Sequence, residues 1–200
     1  MKIPVLFVLL FFSAFSISQP KYDQAAIINF RENANAQFAD SLQSPLSNKD
    51  RMAFSGLDFF PPAEKYYVIA YFKRTDNEKP FQMKTSTNRL PVYVKYGQIS
   101  FTLDGRALKL NVYQNAELIK KEGFEDYLFL PFSDLTSGKE TYIGGRYIDV
   151  RIPEGDVMAI DFNQAYNPYC AYNYKYSCPI VPLENDLKVE IKAGVKSFHD

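Results

Sequence analysis

The chain has 200 residues, enough for one domain with a hydrophobic core, and its 23 basic and 23 acidic side chains cancel. Because the two signs of charge are interspersed, the sequence predicts no basic face of the kind that binds nucleic acid. Aromatic residues are abundant, with 17 Phe, 15 Tyr and no Trp, and such side chains favour strands and large buried surfaces.

The N-terminus has the features of a secretory signal. Lys2 precedes an apolar run, Ile3 to Ile17, that is shorter than the ~20 residues of a membrane-spanning helix. Serines at the −3 and −1 positions predict cleavage after Ser18. We therefore expect residues 1–18 to be removed and residues 19–200 to form one exported domain, periplasmic or secreted, that makes no membrane contact.

Asp23 to Leu42 is predicted to form an amphipathic helix. Asp23 is a suitable N-cap, and Pro45 ends the element soon afterwards. Apolar residues spaced three or four apart make one stripe, which consists of Ile27, Phe30, Ala34, Phe38 and Leu42. A short helical turn opened by Ser47 is expected next, over Asn48 to Phe54.

Beyond Gly56 the apolar period changes to two, which indicates β-strands. The predicted strands are Tyr66 to Lys73, Phe81 to Thr85, Pro91 to Tyr96, Leu128 to Phe132, Thr141 to Ile152, Val157 to Phe162 and Leu187 to Lys192. Gly144-Gly145 interrupts one of them and indicates a bulge or a close backbone approach. These short strands predict a mainly β fold, an antiparallel sandwich or barrel-like sheet with an N-terminal α-helix.

The most specific local prediction is a β-hairpin centred on Asp104-Gly105. Its two-residue turn sets up three pairs: Leu103 with Arg106, Phe101 with Leu108, and Ile99 with Leu110. The apolar members of the last two pairs then share one face. Because a slip of one residue turns every side chain to the other face, this pattern selects the two-residue turn over a three-residue one.

Asn163 to Asn185 is the longest stretch without a periodic pattern, and it contains five Tyr, four Asn and three Pro. A loop of this length is usually functional or disordered, and its aromatic content argues against disorder. Cys170 and Cys178 lie within it, and in an oxidising compartment such a pair favours a disulfide over a metal site. The bridge would stabilise this local loop by about 2.6 kcal/mol.

Several strings in this half of the chain stand in an order that resembles a known bacterial family, the domain of unknown function 1684. The strings are Asp134 to Tyr142, Gly144 to Tyr147, Asp161 to Asn163, Ala165 to Pro168, Cys170 to Tyr172, Cys178-Pro179 and Glu184-Asn185. The resemblance extends over about Tyr22 to Phe198, and it departs from the family at Ile143, where a further Gly is typical. It implies no mechanism, because the family has no assigned activity.

Counting residues excludes most catalytic arrangements. His199 is the only histidine and stands beside the C-terminus, so a Ser-His-Asp or Cys-His site would depend on the end of the chain. Three Cys and His residues in total are too few for a structural zinc site, and no phosphate loop or dinucleotide-binding motif is present. The sequence therefore predicts no metal and no cofactor.

Two functions remain open. The first is a binding or structural module whose disulfide-stapled segment contacts an unknown ligand or protein. Its predicted binding residues are Arg146, Tyr166, Asn167, Tyr172 and Asn185. The second is a cofactor-free hydrolase in which Asp161 and Glu184 act as acid and base in an open cleft, ~5–10 Å apart, and Arg146 orients the substrate.

A purely structural explanation also fits these residues. Asp161 or Glu184 would then form a buried ion pair with Arg146 that holds the segment down. Asn side chains would bind the loop backbone, as they commonly do in irregular segments. The sequence does not indicate the substrate or the oligomeric state.

Overall fold

The structure is a computed structural model that describes residues 20–199, so the predicted signal peptide and its cleavage point lie outside the described residues. Helix α1 (Gln24–Ala39) precedes a short helix, α2 (Asn48–Met52), which Ser47 caps as predicted. The strands are β1 (Tyr67–Arg74), β2 (Phe81–Gln82), β3 (Val92–Leu103), β4 (Arg106–Asn115), β5 (Tyr127–Phe132), β6 (Arg146–Arg151) and β7 (Val157–Asp161). Five 3₁₀ turns of three residues each occur elsewhere in residues 20–199.

Helix α1 begins where the sequence predicts and ends three residues early. Asp23 caps it by accepting hydrogen bonds from two backbone N–H groups, at 2.9 and 3.3 Å. Phe38 is buried as expected, but Leu42 lies beyond the helix and is 94% exposed. The Asp40 carboxylate accepts from the N–H groups of the next turn, which competes with the helix and takes Leu42 out of the apolar stripe.

The strands form one curled antiparallel sheet in the order β6-β5-β4-β3-β1-β7, with β2 paired to β3 beside this path. The curl makes the sheet a half-barrel. The mainly β, barrel-like prediction with one N-terminal helix is therefore confirmed. Strands β6 and β7 are the two edges of the sheet.

The hairpin between β3 and β4 has the predicted register, with Phe101 opposite Leu108. Asp104 and Gly105 have φ angles of 47° and 74°, as the two central positions of a type I′ turn require. Strand β3 is longer than predicted, because the segments on either side of Tyr96 join through a bulge rather than separating into two strands.

The two faces of the sheet carry different cores. One face packs a large, mainly aliphatic core, whose members include Ile99, Leu110, Val112, Leu128, Leu130, Ile148 and Ile160. The opposite face carries an aromatic cluster of Tyr93, Tyr113, Phe129 and Tyr147 together with Met83. Alternation along β5 and β6 produces both sets, since successive side chains point to opposite faces.

The predicted strand Leu187 to Lys192 is wrong, although alternate residues of this segment are buried in the aliphatic core. Side chains bind much of its backbone in place of a neighbouring strand. The Ile191 N–H donates to the Asp134 carboxylate (2.5 Å), and the Ile191 carbonyl accepts from Arg146 (2.8 Å). An alternating apolar pattern indicates which side chains are buried. It does not indicate which groups form hydrogen bonds with the backbone N–H and C=O groups.

Gly144 and Gly145 end a turn that starts at Tyr142 and precedes β6, which begins at Arg146 rather than at the predicted Thr141. Gly145 has a φ of 82°, and a Cβ atom there would lie 2.5 Å from the Phe132 carbonyl oxygen. Glycine is needed for this close backbone approach. A bulge within a strand, the other alternative from the sequence, does not occur here.

Candidate functional site

Arg146 lies in the protein interior, and its side chain has no exposed surface. Its guanidinium donates to Asp134 (3.4 Å) and to the carbonyl groups of Ile191 (2.8 Å) and Ala193. Burial lowers the pKa of Arg146, and the neighbouring Asp134 carboxylate opposes that change. The predicted ion pair of Arg146 with Asp161 or Glu184 is therefore wrong, because Asp134 is the partner. Arg146 fastens the C-terminal segment and lines neither of the two cavities described below.

The two predicted catalytic carboxylates do not share a cleft. Asp161 ends β7 and accepts hydrogen bonds from the Asn163 backbone (3.0 Å) and side-chain amide (2.8 Å), and from Gln164 (3.2 Å). Glu184 is exposed in a 3₁₀ turn that packs against β4. Asp161 borders a cavity, described below, that Glu184 does not line. The hydrolase hypothesis thus lacks the common opening that its acid and base require.

Buried asparagines fasten Asn163–Asn185, which we call the tyrosine segment, at both ends. Asn163 binds both backbone polar groups of Ala63, accepting at 2.9 Å and donating at 3.0 Å. Asn185 does the same with Asn111 (2.8 Å each) and also donates to the Pro131 carbonyl (2.6 Å). Each side-chain amide takes the place of a neighbouring backbone amide. The segment is therefore ordered and attached to the sheet without forming a strand.

Cys170 and Cys178 lie side by side as free thiols, with the Cys170 N–H donating to Cys178 Sγ at 3.2 Å. A hydrogen bond from the Cys178 thiol, aided by Ser86 and Tyr142, lowers the pKa of Cys170 to about 6. The same pairing, together with burial, raises the pKa of Cys178. The disulfide remains a prediction.

A cavity of about 480 Å³ lies between the aromatic face of the sheet, α1 and the tyrosine segment. Helix α1 contributes Phe30, Ala34, Gln37 and Phe38 to its wall. Strands β3, β5 and β6 contribute Tyr93, Tyr127, Phe129, Tyr147 and Asp149. Three of the predicted binding residues, Tyr166, Asn167 and Tyr172, border the cavity from the tyrosine segment. In all, four Phe and seven Tyr line it, so its wall is mainly aromatic.

Asp149 is the one charged side chain among the lining residues of this cavity. Its Oδ1 accepts from the hydroxyl groups of Tyr127 (2.7 Å) and Tyr166 (2.6 Å). No residue between positions 20 and 199 donates to Oδ2, and none of the ion pairs in that range includes Asp149. Burial and the Asp149 charge raise the pKa of both phenols, so both remain protonated donors.

Asn167 places a second hydrogen-bond acceptor that has no partner at the same cavity. Its side-chain amide donates to the Lys196 carbonyl (2.9 Å), which fixes the orientation of the group. Its Oδ1 is buried and has no hydrogen-bond partner within the described part of the chain. Buried polar atoms are normally hydrogen-bonded, so such an atom at a cavity wall indicates a place for an external donor.

A neighbouring cavity of about 420 Å³ shares Phe30, Asp149 and Tyr166 with the first. It extends to Asp161 and Gln164 between the two edge strands of the sheet. Asp149 and Asp161 therefore face the same space.

Asp149 was missed by the sequence predictions. It alternates with the buried Ile148 and Val150, a pattern that is typical of an ordinary solvent-facing position.

Residues 20–199 contain neither a cluster of side chains placed to bind a metal ion nor a membrane-spanning helix. No group of three or more Asp, Glu, His and Cys side chains in this range is placed to hold a metal ion. No helix in the same range has the length and apolar character needed to cross a bilayer.

Similar sequences and a similar fold occur in known proteins. Residues 52–196 match the family model described as a protein of unknown function (DUF1684), a span that includes the sheet and the tyrosine segment. The chain is also similar to an uncharacterized protein from Haloarcula marismortui, with a TM-score of 0.67 to its solution NMR structure and 32% sequence identity. That match covers 86% of this chain and 93% of the other. A search of curated proteins gave no match.

Proposed function

The chain belongs to the DUF1684 family, whose function is unknown, and on that premise we propose that it is a small-molecule-binding protein. Its ligand occupies the cavity between α1, the aromatic face of the sheet and the tyrosine segment. The observation that carries the proposal is a mainly aromatic cavity of about 480 Å³ whose wall includes an exposed acidic side chain, and one of its oxygens accepts no hydrogen bond from residues 20–199. Small-molecule sites commonly combine apolar walls with a few such polar groups.

The packing of the cavity wall supports a pre-formed site. The rings of Phe38 and Tyr172 meet edge to face with centroids 4.7 Å apart, and those of Phe129 and Tyr147 do so at 4.6 Å. Rings that hold one another in place lose little further freedom when a ligand arrives, which lowers the entropic cost of binding. A ligand with a ring or another flat apolar part fits such walls best.

A pair of tryptophan variants tests where ligands bind. Ala34→Trp places an indole in the cavity, whereas Ala36→Trp places the same group on the exposed side of α1. Because the natural chain has no Trp, each variant carries a single indole fluorophore. We expect blue-shifted emission from Ala34→Trp and solvent-like emission from Ala36→Trp, which verifies the two placements before any ligand is added.

The purified chain and both variants are then screened by thermal shift with 2-phenylethanol, indole and 2-phenylethylammonium. A compound that binds the folded state raises the unfolding temperature. We expect at least one compound to stabilise the natural chain and Ala36→Trp but not Ala34→Trp. The proposal fails if no compound stabilises the natural chain, or if every stabilising compound acts equally on Ala34→Trp.

We also propose that the protein works outside the cytoplasm, in the periplasm or beyond. The proposal is supported by the short apolar run and by the small residues before Gln19. The intact mass of protein recovered from the exported fraction should correspond to a chain that begins at Gln19. A mass that includes Met1 would contradict the proposal.

In that compartment we propose that Cys170 and Cys178 become a disulfide. Support comes from their contact and from the lowered pKa of Cys170, since a thiolate is the attacking species in thiol–disulfide exchange. The Cys170 thiolate attacks a disulfide-bearing oxidant and forms a mixed disulfide, which releases one thiol of the oxidant. Cys178, no longer paired with the Cys170 thiolate, then loses its proton to solvent and attacks Cys170 Sγ, which releases the oxidant as a dithiol. Thiol counting under denaturing conditions should find none in exported protein and two after reduction, and two before reduction would contradict the bridge.

A further inference from the structure

We infer that the cavity selects an organic cation, a protonated amine on a ring-bearing apolar body, with its ammonium group at Asp149. The inference rests on the proposed function and names the class of ligand that the site takes. It depends on three observations: the charge at the cavity wall, the kind of hydrogen-bonding atoms left without partners, and the aromatic surfaces around them.

The charged side chains that line the two cavities are all acidic. Asp149 borders both cavities, and Asp161 borders the second. Two cations lie nearby without lining either cavity. Arg89 donates to the Ser177 carbonyl (2.7 Å) and hydroxyl (3.0 Å). Arg31 donates to the Phe60 carbonyl (2.7 Å) and interacts electrostatically with Asp161. A concave site lined by one sign of charge concentrates ligands of the opposite sign.

Among the residues that line the first cavity, the side-chain atoms that lack a partner and that this inference uses are acceptors. Tyr127 and Tyr166 both donate to Asp149 Oδ1, which leaves Oδ2 for a ligand, and Asn167 Oδ1 is a second free acceptor at the same cavity. An ammonium group brings several N–H donors and a compensating charge. A carboxylate ligand would bring further acceptors and a repulsive charge, so an anion is disfavoured.

Aromatic walls strengthen the preference for a cation. A positive charge is attracted to the face of a Tyr or Phe ring, because the ring quadrupole is negative there. Tyr93, Tyr147 and Tyr166 are among the rings that border the cavity with Asp149. The same rings stack on the apolar body of the ligand, so both parts of a ring-bearing amine find complementary surfaces.

Three probes of similar shape test the charge preference by calorimetric titration of the full chain: 2-phenylethylammonium, 2-phenylethanol and 3-phenylpropanoate. We expect the ammonium to bind about tenfold more tightly than the alcohol, in the lower part of the range for a charged hydrogen bond, because Asp149 is exposed. The carboxylate should bind most weakly. Raising the salt concentration should reduce the preference by screening the charge.

Asp149→Asn tests the residue itself. Its side-chain oxygen can still accept from the two phenols, so the fold is retained, but the negative charge is lost. We expect the ammonium to lose its advantage of about tenfold over the alcohol, and circular dichroism verifies that the variant folds. Asp156→Asn is the matched control, since it removes an exposed carboxylate that borders neither cavity, and it should leave the preference intact.

The outcomes separate this inference from the proposed function. If alcohol and ammonium bind with equal affinity and Ala34→Trp blocks both, the cavity binds ligands but does not select cations, and the inference is wrong. It is also wrong if Asp149→Asn keeps the preference, or if the carboxylate binds best. If Ala34→Trp blocks no probe, the proposed function itself fails.

Discussion

The side chains of Arg146 and Asp134 form backbone hydrogen bonds of the kind that a neighbouring strand usually forms. Together they bind the backbone of the extended C-terminal segment at Ile191, and Arg146 also reaches Ala193. Taking two charges out of water is costly, and the cost is offset only when each finds good partners. Removal of one partner is therefore far more damaging than the small net contribution of an ion pair suggests.

We predict that Arg146→Met lowers the free energy of unfolding by about 3–5 kcal/mol, because it leaves the Asp134 carboxylate buried without its cation. Urea denaturation monitored by circular dichroism measures the change. Arg151→Met is the control on the same strand, since Arg151 and its partner Asp126 are both exposed, and it should cost less than about 1 kcal/mol. Similar losses in the two variants would contradict the prediction.

Cys170 gives a second prediction at the scale of the residue. In the reduced protein its pKa is lowered to about 6, so its reactive thiolate is present above that pH. We expect its alkylation by iodoacetamide to rise with pH through a midpoint near 6, while Cys178 stays protonated and reacts slowly. Peptide mass spectrometry distinguishes the two sites. A midpoint close to that of an ordinary thiol at both cysteines would contradict this prediction.

At the scale of the element, the tyrosine segment and the hairpin represent two ways to hold a chain in place. The hairpin is specified locally, by a two-residue turn and the alternation of the strands on either side. The tyrosine segment depends on amide side chains that bind distant backbone, at Ala63, Asn111 and Pro131. Each arrangement predicts a different sensitivity to substitution.

For the hairpin, Gly105→Ala should destabilise the protein by about 1–2 kcal/mol, because alanine resists the left-handed backbone that a φ of 74° requires. Gly155→Ala is a matched control. An added Cβ meets no atom within 4 Å at either position, and Gly155 has no such φ angle. It should be neutral or slightly stabilising. Thermal unfolding of the two variants measures the difference, and equal effects would contradict the role of the turn.

For the tyrosine segment, Asn185→Asp should destabilise the protein by about 3 kcal/mol or more. The substitution removes the N–H donors that bind the carbonyl groups of Asn111 and Pro131 and places a carboxylate oxygen against them. Asn173→Asp is the control, since the Asn173 side chain accepts a hydrogen bond from Lys175 at an exposed site and Asp retains that role. A small effect at Asn185 would show that the segment is held mainly by its aromatic packing.

Sequence reasoning was most successful where structure is specified by neighbours in the chain. The cap at Asp23 and the pairing of Phe101 with Leu108 follow from local patterns. The partner of Arg146 did not follow, because Asp134 is brought to it only by the fold. Asp149 was missed for the same reason, since the two phenols that bind it come from β5 and from the tyrosine segment.

At the scale of the whole molecule, the N-terminal helix, the tyrosine segment and the C-terminus meet in one aromatic cluster. Phe38 of α1 contacts Tyr172 (centroids 4.7 Å apart) and Phe54 (5.9 Å), and Tyr172 contacts Phe198 (5.1 Å). The cluster borders the proposed ligand cavity through Phe38 and Tyr172. Segments that are far apart in the chain therefore pack in one cluster, which holds Phe38 and Tyr172 in place at the cavity wall.

We predict that Phe38→Ala lowers the free energy of unfolding by about 3–5 kcal/mol, because it opens a void in this cluster. Leu42→Ala is the control from the same predicted stripe. Leu42 is 94% exposed, so its loss should change stability by less than about 0.5 kcal/mol. Denaturant titration of both variants measures the two losses. Equal losses would mean that the helix packs along the whole stripe that the sequence indicates.

The isolated antiparallel β-bridge between Tyr147 and Tyr166 affects how the protein associates with itself in concentrated solution. These residues exchange two backbone hydrogen bonds, at 2.9 and 3.0 Å, on the outer side of the edge strand β6. An uncovered strand edge is a template on which a second molecule can extend the sheet. Since the chain satisfies the outer edge of β6 at Tyr147, we expect sheet extension by a second molecule to be hindered at that end of the strand.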